Sequence, residues 1–142
     1  MKTLVFALPG NEQLADALAS QLHAARGELL VRQFPDEESY LRFGTEVAGC
    51  QVVLVCTLDR PDRKFMQLAF AAGTARELGA ARVGVVAPYL AYMRQDMRFQ
   101  AGEAITSVNF ARLFSGIADW LLCVDPHLHR HLSLRLWHRL LR

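Results

Sequence analysis

The sequence predicts an α/β fold, a parallel sheet flanked by helices on both faces, from three observations. Short apolar runs rich in β-branched residues, at 3–8, 51–57, 82–87 and 120–124, alternate with stretches of helical spacing. The clearest run, VVLVC at 52–56, is continuously hydrophobic, as a strand buried on both faces should be. The connections are short, so each helix is expected to return the chain to the next parallel strand by a right-handed crossover.

Residues 3–8 form the first strand, closed by the turn Pro9-Gly10-Asn11, with Asn11 placed to cap a helix. Leu14, Leu18 and Leu22 follow at helical spacing, alanines 15, 17 and 19 fill in, and Gly27 stands where a left-handed C-cap is expected. Residues 29–34 give a second strand, Pro35-Asp36-Glu37-Glu38 a turn, and residues 39–43 a returning hairpin arm. After the third strand, Leu58-Asp59-Arg60-Pro61-Asp62 opens a long helix, with proline suited to the first turn and carboxylates near the positive end of the dipole. Phe65, Leu68, Ala72, Ala75 and Leu78 share a face of it, and Gly79 ends it. Residues 82–87 form the fourth strand, which Pro88 stops because it cannot extend a hydrogen-bond ladder. Thr106 or Ser107 caps a helix over 108–114, Gly116 stops it, and residues 120–124 make the fifth strand.

At 142 residues and 52% hydrophobic, the chain can bury one core and not two. The net charge of +2, from 16 Lys+Arg against 14 Asp+Glu, gives no global electrostatic case for nucleic acid or an anionic membrane. The three cysteines have no CxxC spacing, and Cys56 and Cys123 lie in apolar runs, which points to a reducing cytoplasm. No run reaches membrane-spanning length and residues 1–12 do not read as a secretory signal, so the expectation is a soluble cytoplasmic protein.

The segment 82–103, RVGVVAPYLAYMRQDMRFQAGE, joins a strand end to a loop crowded with charge. PYLAYMRQD followed by GEAITSVNFARLF resembles the part of ribose-phosphate pyrophosphokinases that reads PY-x-x-Y-x-RQD before a helix start. GNEQLADALA and QFPDEESY match upstream in the right order, and VDPHLH matches downstream, where the family has a strand ending in D-x-H. The resemblance implies the phosphoribosyltransferase-like fold of the family's N-terminal domains over residues 1–130. It leaves 131–142, HLSLRLWHRLLR, as a basic amphipathic tail. The family continues into a second α/β domain that nothing after His129 resembles, and a truncated or frame-shifted product and a natural short paralogue both fit. The activity implied is transfer of the β,γ-pyrophosphoryl group of ATP to ribose 5-phosphate, with Mg²⁺ neutralising the polyphosphate. Here only the ATP-side half would be present, so ribose 5-phosphate would bind only with a second domain supplied, and the isolated chain is expected to be inactive.

By the same resemblance Arg94 and Gln95 would touch ATP, the former through a guanidinium fork suited to phosphate oxygens. From the residues alone, a surface ion pair of Arg94 with Asp96 or Glu103 is the plainer reading. Phe34, Asp36, Glu37 and Glu38 match a family segment that holds the adenine of an ATP bound mainly by a neighbouring subunit, which implies a homo-oligomer. Read alone, Phe34 is a core residue and the acids a solvated turn. Asp125 and His127 match D-x-H, with His127 at Mg²⁺ or the ATP phosphates. A packed or surface histidine is the plainer reading, and the run His127, His129, His131 is interleaved by unsuitable partners for a transition metal. No residue is assigned a catalytic role, since the family's ribose-phosphate loop, acidic motif and catalytic Lys/Arg loop have no match. Two competing readings are a catalytically silent homologue that associates with a full-length synthetase, and an unrelated nucleotide-binding domain. The second would need GxGxxG or GxxxxGK, and neither occurs.

Overall fold

The computed structural model describes residues 1–127, so the predicted tail at 131–142, with His129 and His131, lies outside the described residues. Seven strands and three helices follow in the order β1 (Thr3–Ala7), α1 (Glu12–Gln21), β2 (Ala25–Arg26), β3 (Leu29–Gln33), β4 (Ser39–Phe43), β5 (Gln51–Val55), α2 (Pro61–Glu77), β6 (Arg82–Ala87), α3 (Thr106–Ile117) and β7 (Trp120–Cys123). Five strands form one sheet in the order β2-β1-β5-β6-β7, every pair parallel, and β3 and β4 form a separate antiparallel ribbon.

The strand side chains alternate between two cores, because successive Cβ atoms point to opposite faces. Leu4, Phe6 and Leu8 of the β1 segment, Val52 and Leu54 of β5, and Val83 and Val85 of β6 pack with α2 and α3 on one face. Val5, Val53, Val55 and Val86 pack with Ala15 and Ala19 of α1 on the other. The apolar face of the ribbon, Leu29, Val31, Leu41 and Phe43, joins the larger core, with Phe43 edge-on to Phe6 at 4.9 Å. The predicted parallel sheet with helices on both faces is thus the observed one.

The predicted hairpin of residues 29–34 and 39–43 is observed, antiparallel with Gln33 opposite Ser39, and it stands apart from the parallel sheet, whose edge beside β1 is taken by the two residues of β2. Four local expectations are corrected. Gly27 is not a helix cap: α1 ends six residues earlier, His23 takes the left-handed conformation (φ 50°), and Gly27 is needed because a Cβ there would stand 2.1 Å from the Phe6 ring. Asn11 occupies the N-cap of α1, but its side chain does not cap. Its Oδ1 accepts from the Thr57 N–H at 2.8 Å and its Nδ2 donates to the Leu8 carbonyl, tying the β1 loop to the end of β5. The N-cap of α3 is Ile105, and Gly116 lies inside that helix.

Cys56 is buried one residue beyond β5, and burial pushes its thiol from 9.0 up to about 12. A raised acid pKa favours the neutral folded form, so this contribution is complete below about pH 9 and is lost as pH climbs towards about 12. Iodoacetamide at pH 8 is accordingly expected to leave Cys56 unmodified in the folded chain and to modify it in urea. Rapid native labelling at Cys56 by peptide mapping would contradict its burial.

Candidate functional site

Three loops at the carboxyl ends of adjacent strands enclose a cavity of about 380 Å³, in the position where open α/β sheets bind ligands. The loop after β5 gives Leu58, Asp59 and Arg60, the loop after β6 gives residues 89–95, and the loop after β7 gives residues 124–127. Backbone bonds hold the three loops to one another. The Leu58 N–H donates to the Tyr89 carbonyl at 3.1 Å and the Val124 N–H to the Pro88 carbonyl at 3.2 Å.

Arg94, Gln95, Asp125 and His127 all line this cavity, so residues 30 positions apart in sequence share one space. Arg94 is exposed and takes part in none of the ion pairs among the described residues. Glu103, one of its possible partners, is instead committed to its own loop, its carboxylate accepting from the Phe99 and Gln100 N–H groups and its carbonyl from Arg98 Nε. Gln95 is partly used structurally: its Oε1 accepts from the Thr106 hydroxyl at 2.5 Å and its carbonyl from the Ser107 N–H, which fixes the start of α3. Asp125 is exposed in the left-handed region (φ 47°), which a short polar side chain tolerates.

The long loop from β6 to α3 is moored to α2. Tyr92, itself at φ 63°, packs at a tilt against Phe110 with centroids 5.1 Å apart and donates its hydroxyl to the Asp62 carboxylate in the first turn of α2. That hydrogen bond raises the phenol's pKa, so the tether is intact across neutral pH and is lost only as pH rises through the raised value. Tyr92→Phe is expected to lower unfolding free energy by about 0.5–1 kcal/mol, the low end for a hydrogen bond because the pair is solvent-accessible. Urea denaturation at pH 7 reads this directly, and an unchanged midpoint would mean that the mooring has no net worth.

Asp59 and Arg60 belong to this site and were read from sequence only as a helix start. Lys64 Nζ donates to the Asp59 carboxylate and, at 3.3 Å, to the Thr57 carbonyl. Its hydrogen bond holds the Asp59 carboxyl below the usual carboxylate range. Arg60 is the N-cap of α2 in a left-handed conformation (φ 54°) and makes no side-chain cap bond. A basic side chain at the positive end of a helix dipole is the reverse of the favoured arrangement, and the sequence pattern L-D-R-P-D carries no sign of that conformation.

Phe34, Asp36, Glu37 and Glu38 lie elsewhere, at the tip of the β3–β4 ribbon. Phe34 is 41% exposed rather than core, edge-on to Tyr40 at 6.0 Å, with the Arg32 guanidinium 5.3 Å from its ring centre. Asp36 braces the turn by accepting from the Glu38 N–H at 3.1 Å, while Glu37 (φ 70°) and Glu38 face a groove shared with Arg63, Met66 and Phe70 of α2. The eight residues therefore fall into two groups: four at the cavity and four at the ribbon tip. Among the described residues no three His, Cys, Asp or Glu side chains converge on a metal position, and no helix is long and apolar enough to cross a membrane.

Residues 3–117 match the family model described as the N-terminal domain of ribose phosphate pyrophosphokinase. The chain belongs to this family. It is 41% identical over 102 residues to the ribose-phosphate pyrophosphokinase of Saccharolobus solfataricus, covering 70% of this chain and 35% of that protein. Against the ribose-phosphate pyrophosphokinase of Methanopyrus kandleri it is 35% identical over 124 residues, covering 87% of this chain and 43% of the relative. The crystal structure of phosphoribosylpyrophosphate synthetase from Mycobacterium smegmatis superposes with a TM-score of 0.82 at 24% identity, over 99% of this chain and 46% of that one, and shares the fold. The chain spans less than half the length of these ribose-phosphate pyrophosphokinases.

Proposed function

We propose that this chain supplies the nucleotide side of a ribose-phosphate pyrophosphokinase, which transfers the β,γ-pyrophosphoryl group of ATP to the anomeric hydroxyl of ribose 5-phosphate. The observation that carries the reading is the convergence of Arg94, Gln95, Asp125 and His127 on one cavity at the carboxyl edge of the sheet. Reactions of this kind depend on positioning and on charge stabilisation more than on covalent help from the protein. Arg94 offers two parallel N–H donors to phosphate oxygens, and the Gln95 amide has donors left beside its bond to Thr106. His127 lines the same cavity, within the set of groups that would meet the polyphosphate.

The donor set suits Mg²⁺. One exposed carboxylate, Asp125, without a cage of protein ligands, matches a cation that keeps most of its shell as water and substrate phosphate. When bound there, Mg²⁺ would supply charge neutralisation of the polyphosphate, and Asp125 would be its protein anchor. Ribose 5-phosphate would come to this edge from a second domain like those of the longer relatives.

The exposed Phe34 turn supports a second part of the proposal, a homo-oligomer in which the turn of one copy covers the adenine held by another. A C₂ pair is the simplest closed arrangement that serves both sites equally. Calorimetric titration with ATP and Mg²⁺ is expected to show saturable binding by the 142-residue chain, without AMP release on adding ribose 5-phosphate. Light scattering is expected to show self-association at tens of micromolar. Absence of ATP binding at millimolar nucleotide would refute the cavity's assignment, and a strictly monomeric chain would remove the role given to Phe34.

A further inference from the structure

Beside the cavity just described, and sharing Arg60 with it, a second cavity of about 340 Å³ opens between the ends of β1 and β5. This is where the sheet order reverses: the chain goes from β1 outward to β2, then returns to lay β5 on the other side of β1. Loops leave the two strand ends in opposite directions at such a point and open a crevice.

Among the described residues four cations face the crevice and no carboxylate lines it. Arg60, Arg63 and Lys64 come from the first turns of α2, and Arg32 from β3, its guanidinium 4.5 Å from the Tyr40 ring centre. Lys64 is paired with Asp59, whereas Arg32, Arg60 and Arg63 take part in no ion pair among the described residues. Positions 60, 63, 64 and 67 recur at the spacing of one helical face, so the cations and Gln67 stand in a column along α2. Asp62, the acid in the first turn, accepts from Tyr92 and does not line the crevice, so the placement of three cations at the positive end of this 17-residue helix is relieved further if an anion joins them there.

Gln67 is the independent observation. It is only 5% exposed, it lines the crevice, and its side chain makes no hydrogen bond among the described residues. Among the described residues no polar side-chain atom sealed from solvent lacks a partner, so the Gln67 amide is open to the crevice and not lost in the core. A buried amide held ready at the foot of a cationic column is a hydrogen-bonding group awaiting a ligand.

We propose that this crevice binds the phosphate group of a small phosphate monoester, at a site separate from the nucleotide cavity. The cations and the Gln67 amide take the phosphate. The apolar wall of Leu8, Pro9, Val31 and Cys56 takes the carbon skeleton, for which the volume leaves room.

Glycerol 3-phosphate and inorganic phosphate, titrated calorimetrically into the 142-residue chain at constant ionic strength set with sodium chloride, test this. Saturable binding is expected for both, tighter for the ester. Arg63→Gln is expected to weaken ester binding about tenfold, the worth of one charge-assisted bond. Gln67→Glu places a carboxylate where the ligand's charge would sit. It is expected to abolish binding while raising the melting temperature of the unliganded chain, which also shows that the variant folds. Arg94→Ala is expected to leave ester binding unchanged, even where it weakens ATP binding. Failure of both anions to saturate, insensitivity to Arg63→Gln and Gln67→Glu, or loss of ester binding in Arg94→Ala would each overturn the proposal. The last outcome would put the anion in the nucleotide cavity and leave the proposed function standing.

Discussion

Phe6→Ala is expected to lower the unfolding free energy by about 3–5 kcal/mol, the usual cost of truncating a fully buried aromatic ring. Phe6 sits on β1, between the short edge strand β2 and the central strand β5, with no solvent exposure, and it is the surface against which the ribbon's Phe43 docks edge-on. Its loss opens a cavity and detaches the ribbon from the larger core, so two layers lose packing at once. For a domain whose total stability is typically about 5–15 kcal/mol, that is a large fraction. Urea denaturation followed by tryptophan fluorescence measures it, and a loss under about 1.5 kcal/mol would show that the ribbon refills the space. Gly27 offers a control. Gly27→Ala alone drives a methyl group into the Phe6 ring, whereas in Phe6→Ala the same methyl has room, so the double variant should be more stable than the sum of the single losses predicts.

The second large effect concerns the cavity. Arg94→Ala is expected to weaken ATP binding by about 1.5–3 kcal/mol, the range for a hydrogen bond to a charged group. Arg94 is well suited to show such an effect, because the protein gives it no carboxylate partner among the ion pairs of the described residues and its removal leaves no buried charge behind. Unfolding free energy should accordingly stay within about 0.5 kcal/mol of the parent, as for other exposed positions. Calorimetry on the variant reads the affinity, and an unchanged value would mean that the phosphates lie elsewhere.

The strands of the main sheet were legible in the sequence wherever they are buried on both faces. Val52 to Val55 and Val83 to Val86 are unbroken apolar runs because helices cover both sides, and such runs have little else to be. The edge strand was not legible, since Ala25 and Arg26 are exposed and two residues make no pattern. Leu29 to Gln33 and its returning arm Ser39 to Phe43 are legible as a hairpin, but their separation from the parallel sheet is not, because alternating burial fits a ribbon as well as a sheet edge. At the cavity, Arg94, Gln95, Asp125 and His127 could be placed together because each follows a strand of the same sheet, and parallel strands bring their carboxyl ends to one side. The share taken by Asp59 and Arg60 could not be seen. It depends on a left-handed turn at Arg60, and arginine before proline does not announce one.

The position of β1 also bears on the order in which the molecule can assemble. Its partner β5 lies almost fifty residues downstream, Thr3 pairing with Gln51 and Ala7 with Val55, whereas β5, α2, β6, α3 and β7 follow one another directly in the chain, with the loop of residues 88–105 the longest connection among them. Closing a long loop costs entropy before the contact repays it, so the β5-to-β7 region should condense first and the ribbon close on itself locally. β1 is then expected to be among the last strands of the sheet to find its place. Phe6 would gain its contacts after the rate-limiting step, and its truncation should appear mainly as faster unfolding with the folding rate little changed.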